Sequence, residues 1–251
     1  MNNNAVRIAI TRALSPQIGR CELSYIEREP IDVARAEHQH DVYERLLEKH
    51  GCTIIHAAPA PQMPDGVFVE DAAVVLDDVA IITRPGAESR RGETESIAAA
   101  LKRFRTLKHV EAPATLDGGD VLAMNGKLHI GISQRTNEQA IEQLDANAIR
   151  FRGCLHLKSA VTQIAARTLL LNPEWVDARQ FPGFETITVD PREPFAANAL
   201  RIDDILIYSA SYPHTLRRLK SRGFRVETLE VDELEKAEAG VTCCSIIFDR
   251  G

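Results

Sequence analysis

Apolar positions along the chain switch between a two-residue and a helical period, segment by segment. Val6, Ile8 and Ile10 share one face of the stretch from Val6 to Thr11, the mark of a half-buried strand. From about Ile31 to His50 the period lengthens. Val42, Leu46 and Leu47 form a stripe there, and Gly51 stands where a helix stops. Thr53 to Ala58 returns to strand. Ala73 to Leu76 and Val79 to Thr83 flank Asp77-Asp78, the pattern of a hairpin. Glu93 to Phe104 is predicted helical, with Ile97, Leu101 and Phe104 on one side. Val121 to Met124 and Leu128 to Ile130 flank Asn125-Gly126, a two-residue turn signal. A further helix is expected near Thr136, where Thr136 and Gln139 fit a capping box. Strands follow near 168–171, 186–189, 205–208 and 245–248, and helices near 174–179, 213–222 and 232–238. The order strand–strand–helix–strand, several times over, is not the βαβ rhythm of a doubly wound sheet. No Gly/Ser/Pro-rich linker interrupts it, so one domain over residues 1–251 is expected.

Composition narrows the function classes. A chain of 251 residues can bury a substantial core. Its net charge of −6 does not attract nucleic acid or anionic lipid, and 5% aromatics make a poor base-stacking platform. No apolar run approaches the roughly 20 residues of a membrane helix. Met1 to Ala9 lacks the basic flank and apolar run of a signal peptide, so a cytoplasmic location is expected. Cys21, Cys52, Cys154, Cys243 and Cys244 are odd in number and widely spaced, a poor disulfide framework, and no CxxC pair supports structural zinc. Vicinal side chains point to opposite faces in a strand, so one of Cys243 and Cys244 faces a cleft if the other faces the core.

Three segments carry more polar chemistry than loops need. Met63 to Asp71 sets Asp65, Glu70 and Asp71 around a short apolar run, and such carboxylates repel unless a cation lies among them. Ile82 to Glu93 places Arg90 and Arg91 at a helix N-terminus, against the dipole, where a planar fork for a carboxylate gives them a purpose. Thr115 to Leu122 puts Gly118-Gly119 between Asp117 and Asp120, allowing close backbone approach. His156 lies between two leucines, and Cys243 in Thr242-Cys243-Cys244-Ser245. Each has an ordinary explanation alone: a surface loop, a turn, a core histidine, a packed thiol. Together they form a kit. Acids hold a cation, arginines hold a carboxylate, and Cys with His does nucleophilic chemistry. An amino acid with a guanidinium side chain has both charges.

In order and spacing, Pro64 to Asp71, Ile82 to Arg91, Leu116 to Leu122, Arg135-Thr136-Asn137, Leu155 to Lys158, Ala196-Ala197-Asn198 and Thr242 to Ser245 closely resemble the dimethylarginine dimethylaminohydrolase family. Asp32 to Glu37 fits as well. The family belongs to the guanidine-modifying (pentein) enzymes, so the resemblance implies an α/β fold: a five-bladed propeller of ββαβ modules. It implies hydrolysis of Nω,Nω-dimethylarginine, or the monomethyl form, to citrulline and an amine, without cofactor or metal. On matching positions, Cys243 is the nucleophile, His156 the general acid/base and Asp117 the acid that orients it. Asp65, Glu70 and Asp71 surround the guanidinium. Arg90 and Arg135 grip the substrate carboxylate, Leu23 closes a lid, and Ala237 offers a backbone carbonyl to the α-amino group. Some members have Glu at Asp117, and a branched apolar residue with Asp is usual at Ala237-Glu238. The lid region, Gln17 to Ile26, is the least family-like stretch. The implied partner is a small molecule, methylated arginine; no nucleic acid or membrane is expected, and a homodimer is left open. The rival readings are an arginine deiminase, typically longer, a non-catalytic binder of arginine-like ligands or zinc, and a cysteine peptidase, which has no use for the acids or arginines.

Overall fold

The computed structural model describes residues 6–250, so Met1 to Ala5, part of the stretch read for a signal peptide, lie outside the described residues. Among the described residues the strands form five three-stranded sheets. The first holds β1 (Arg7–Thr11), β2 (Cys52–His56) and the last strand, β15 (Ile246–Asp249). The second holds β3 (Ala73–Val75), β4 (Val79–Ile82) and β5 (Thr106–His109). The third holds β6 (Val121–Met124), β7 (Lys127–Ile132) and β8 (Asn147–Arg150). The fourth holds β9 (Val161–Ala165), β10 (Thr168–Leu171) and β11 (Glu185–Thr188). The fifth holds β12 (Ala199–Ile202), β13 (Ile205–Ser209) and β14 (Arg225–Leu229).

Each sheet repeats one plan: an inner strand antiparallel to the middle one, and an outer strand parallel to it. A parallel neighbour needs a crossover. Helices α1 (Val33–Lys49), α2 (Thr94–Leu101) and α3 (Glu138–Leu144) supply the first three. α4 (Leu157–Ala160) leads into β9, α5 (Pro213–Ser221) crosses the fifth sheet, and α6 (Asp232–Glu235) follows it. The five inner strands surround a central channel with a cavity of about 390 Å³. This is a five-bladed α/β propeller. The first blade takes strands from both ends of the chain, with Arg7 opposite Asp249 in the ladder and bonded to it at 3.0 Å.

Local chemistry explains most element limits. Asp32 caps α1 by accepting the Arg35 N–H. Asn125 and Gly126 both have positive φ (52° and 71°), which the two-residue hairpin turn demands. Apolar clusters fill the spaces between neighbouring blades; one joins Tyr43 and Leu47 of α1 to Ile207 and Leu229 of the fifth sheet.

Three expectations are corrected. The helix near 174–179 is only a 3-10 turn, Ala178–Gln180, so the fourth crossover has no α-helix. α3 is capped by Asn137, not Thr136, because the Thr136 hydroxyl accepts the Asp117 N–H from across the blade. The helix expected from Glu93 begins at Thr94, with a 3-10 turn, Glu88–Glu93, before it. No helix among the described residues is long and apolar enough to cross a membrane.

Replacing Asp32 by Ala removes a cap and should lower stability by about 1 kcal/mol, read from the urea midpoint at unchanged m-value.

Candidate active site

The turns that precede the inner strands converge at one mouth of the channel. Asp71 lies in the 3-10 turn Val69–Ala72 before β3, and Asp117 stands at the start of the turn before β6. His156 is the N-cap of α4, and Cys243 sits in the turn before β15. All but Cys243 are buried; its side chain is half-exposed, while Cys244 points into the core. The vicinal pair thus divides between cleft and core as expected, though in a turn rather than a strand.

His156 Nε2 lies 3.1 Å from Asp117 Oδ2, and Nδ1 lies 3.8 Å from Asp71 Oδ1. Asp117 is held in turn by the Gly86 N–H at 2.9 Å. Gly119 donates to Asp71 at 3.0 Å and lies flat on the imidazole. A Cβ there would sit 2.7 Å from His156 Nδ1, and one on Gly118 only 2.0 Å from the Glu70 carbonyl. That close approach is what the paired glycines permit. Burial opposes charging of His156, but Asp71, Asp117 and Asp120 outweigh it and push its pKa up to about 9. Burial likewise opposes charge on Asp71, yet His156 and Arg90 hold it well below the usual carboxylate range. For the Cys243 thiol, burial and then Glu70 and Asp71 push the pKa upward; the Gly240 N–H, 3.3 Å from Sγ, acts the other way. Asp71, Asp117 and His156 carry donor atoms within 4.8 Å of one another, the spacing of a metal site. Here Arg90 and a protonated imidazole supply the positive charge that such acids need.

The remaining candidates divide. Arg135 is buried with Nη1 unpartnered, and its main chain packs on Gly86, where a Cβ would meet Arg135 O at 2.4 Å. A buried guanidinium N–H without an acceptor marks a place for an anion. Arg90 differs from the carboxylate grip expected of it. It binds Asp71 Oδ2 at 2.7 Å and Glu93 Oε2 at 2.9 Å, because buried charges neutralise one another. Asp65 accepts the Glu22 N–H from the lid, at 3.2 Å to each oxygen, rather than standing free. Glu70 accepts from Lys158 Nζ and from Thr242 Oγ1, both at 2.7 Å, so its carboxylate is committed to the floor of the site. Leu23 and Cys243 pack on one apolar cluster that contains Ala237. Ala237, just beyond α6, donates its N–H to the Leu234 carbonyl.

Sequence reasoning passed over several supporting residues. Asp120 accepts the Leu157 N–H at 2.9 Å, fixing the start of α4 beside His156. It also accepts from Ser133 Oγ at 2.6 Å, and that oxygen takes the N–H of Arg135. Glu238, at φ 57°, accepts the N–H groups of Ser24, Tyr25 and Ile26, clasping the lid. Glu93 had a visible signal: it stands three residues after Arg90, a spacing at which side chains meet.

Known proteins resemble this chain in sequence and fold. An arginine deiminase family model matches residues 58–164. The dimethylarginine dimethylaminohydrolase of Pseudomonas aeruginosa is 36% identical over 228 residues, covering 86% of this chain and 90% of the relative. That of Streptomyces coelicolor is 37% identical over 249 residues, 95% of each. The chain belongs to the dimethylarginine dimethylaminohydrolase family. The structure of a Cys-to-Ser mutant of the Pseudomonas family member, complexed with citrulline, matches with a TM-score of 0.89 at 33% identity. The match covers 96% of this chain and 98% of that one.

The His156 ring should titrate near pH 9 by NMR in the free protein. Asp71→Asn removes a negative charge beside it and should move that midpoint down. An unmoved midpoint would remove Asp71 from the imidazole's surroundings.

Proposed function

We propose that this chain, acting as one unit, hydrolyses Nω,Nω-dimethylarginine and Nω-monomethylarginine to citrulline plus dimethylamine or methylamine. The observation that carries the reading is a half-exposed Cys243 thiol beside Asp71 and a His156 held between Asp71 and Asp117. Relatives named for this activity, one of them complexed with citrulline, support the substrate class.

Desolvation and two carboxylates disfavour a thiolate in the free enzyme. A bound guanidinium brings the missing positive charge, so the substrate itself promotes ionisation of Cys243. The sulfur attacks the guanidinium carbon, forming an S–C bond. Asp71 keeps that group protonated and oriented. His156, protonated through neutral pH, gives its proton to the departing amine as the C–N bond breaks. Nε2 is tied to Asp117, which leaves Nδ1 to carry the mobile proton. Water then attacks the thiouronium carbon, giving one proton back to His156; as the carbonyl forms the S–C bond breaks, the second proton goes to the sulfur, and citrulline leaves.

Arg135, with its free Nη1, takes the substrate carboxylate. Arg90 acts on Asp71, holding that carboxylate ionised and in place. Leu23 closes over the ligand, and the Ala237 carbonyl receives the α-amino group. Asp65 and Glu70 shape the site through the lid and the floor. A cytoplasmic place in arginine metabolism fits this chemistry.

The test is citrulline release from Nω,Nω-dimethylarginine, with free arginine alongside because a deiminase model matches part of the chain. Cys243→Ser should abolish turnover while ligand still binds; turnover of arginine alone would move the substrate assignment. Arg135→Lys should raise KM roughly tenfold or more, since a point charge lacks the fork, whereas Arg90→Lys should lower kcat more than it raises KM. The kcat profile should hold through neutral pH and fall as pH rises past about 9, where His156 loses the proton it donates. A fall beginning near pH 6.5 would contradict that assignment.

A further inference from the structure

The Ala196-Ala197-Asn198 motif has no part in the chemistry just described, yet it stands beside it. Asn198 precedes β12, in the blade that supplies none of Asp71, Asp117, His156 and Cys243. Its side chain is buried and fully engaged. Oδ1 accepts the Thr242 N–H at 3.1 Å. Nδ2 donates to Thr242 Oγ1 at 3.0 Å and to the Lys158 carbonyl at 3.3 Å. A Cβ on Gly240 would lie 2.4 Å from Asn198 Cγ, so Gly240 rests directly on this amide.

Those partners are next to the reacting groups. Thr242 precedes Cys243, and Lys158 lies two residues beyond His156 on α4. Gly240 donates its N–H to Cys243 Sγ at 3.3 Å, and the Cys243 N–H closes the turn on the Gly240 carbonyl. The amide of Asn198 can serve both Thr242 groups and Lys158 in one orientation only. Carboxylate, with no donor, and alanine, with no polar atom, cannot replace it.

We propose that Asn198 is a positioning residue: it joins the nucleophile's turn to the helix carrying His156 and holds the Gly240 N–H on the sulfur. The inference rests on the roles given above to Cys243 and His156. The charged and titratable groups facing the sulfur are Glu70, Asp71 and Cys244; Lys158 pairs with Glu70, and Arg90 and His156 with Asp71. Burial, then Glu70, Asp71 and Cys244, oppose a thiolate, and the Gly240 N–H acts the other way.

The experiment reads Cys243 in the free enzyme, without substrate. Iodoacetamide labelling of the Cys243 peptide is followed against pH in wild type, Asn198→Ala, Thr242→Val and Thr242→Ser, together with kcat and KM. Asn198→Ala should raise the labelling midpoint by roughly one unit. It should also lower kcat about tenfold or more, while KM stays within about threefold. Thr242→Val should act alike, and Thr242→Ser, which keeps the hydroxyl, should restore the midpoint. If Asn198→Ala does not fold, the Thr242 pair carries the test. An unmoved midpoint with kcat intact, or a loss confined to melting temperature, would overturn the proposal. Wild-type labelling without citrulline release would instead overturn the proposed reaction and leave the strut to stand on the midpoints alone.

Discussion

Lys158 Nζ meets Glu70 Oε1 at 2.7 Å near the axis of the five blades, between the reactive turns and the channel beneath them. Around this ion pair the entry turns of all five inner strands are bonded to one another. Lys158 also donates to the Gly118 carbonyl, Thr242 to Glu70, and Asn198 to Thr242 and to Lys158. A five-bladed ring leaves a hole on its axis, and a reaction that must keep water under control cannot be run over an open hole. Plugging it with apolar groups would leave buried backbone carbonyls unsatisfied. A polar plug with every member paired closes the channel and satisfies those groups. It also sets the spacing of the residues next door, since Glu70 adjoins Asp71 and Thr242 adjoins Cys243.

Charge balance above the plug follows from the same need. Asp71, Asp117 and Asp120 are buried around one imidazole, and isolated carboxylates would not stay ionised there. Arg90 pairs with both Asp71 and Glu93, the imidazole adds a second positive charge by staying protonated, and burial pushes the pKa of Asp120 up to about 6. The free site therefore holds a proton ready to donate and a thiol reluctant to ionise. In the proposed reaction the entering guanidinium reverses only the second of these, which couples nucleophile activation to the arrival of a cationic substrate and leaves the free thiol less reactive toward other electrophiles.

Much of the scaffold was legible because its signals are local. Asn125-Gly126 needs only two adjacent positive φ angles, and the stripe of Val42, Leu46 and Leu47 needs only its own helix. Strands β5 (Thr106–His109), β8 (Asn147–Arg150), β9, β12 and β14 passed unread; β5 and β8 are short outer strands with mostly exposed or half-exposed side chains and no apolar alternation. The reactive set was legible because its residue types are rare together. Which partner each would take was not. Arg90 looked like an anion grip because Asp71, nineteen positions away, is brought to it only by the closure of the second blade. Asn198 stood in a family-like motif with no role assigned, because its partner Thr242 is forty-four positions distant.

The lid shows how the remaining departure from the family pattern fits. Its backbone from Glu22 to Ile26 is held at two places by carboxylates: Asp65 takes the Glu22 N–H, and Glu238 takes those of Ser24, Tyr25 and Ile26. Leu23 stands between the two clasps, packed on the cluster that includes Ala237. Hydrogen bonds from backbone N–H to carboxylate are strong, but those of Ser24 and Tyr25 lie at exposed atoms, where water competes for both partners. Such a clasp holds the lid shut without burying it. Opening would exchange four N–H bonds for bonds to solvent. Glu238, one methylene longer than the usual aspartate, reaches three successive lid amides from its left-handed position beside Ala237. The clasp on Ser24 to Ile26 and the backbone next to Ala237 therefore share one residue's conformation.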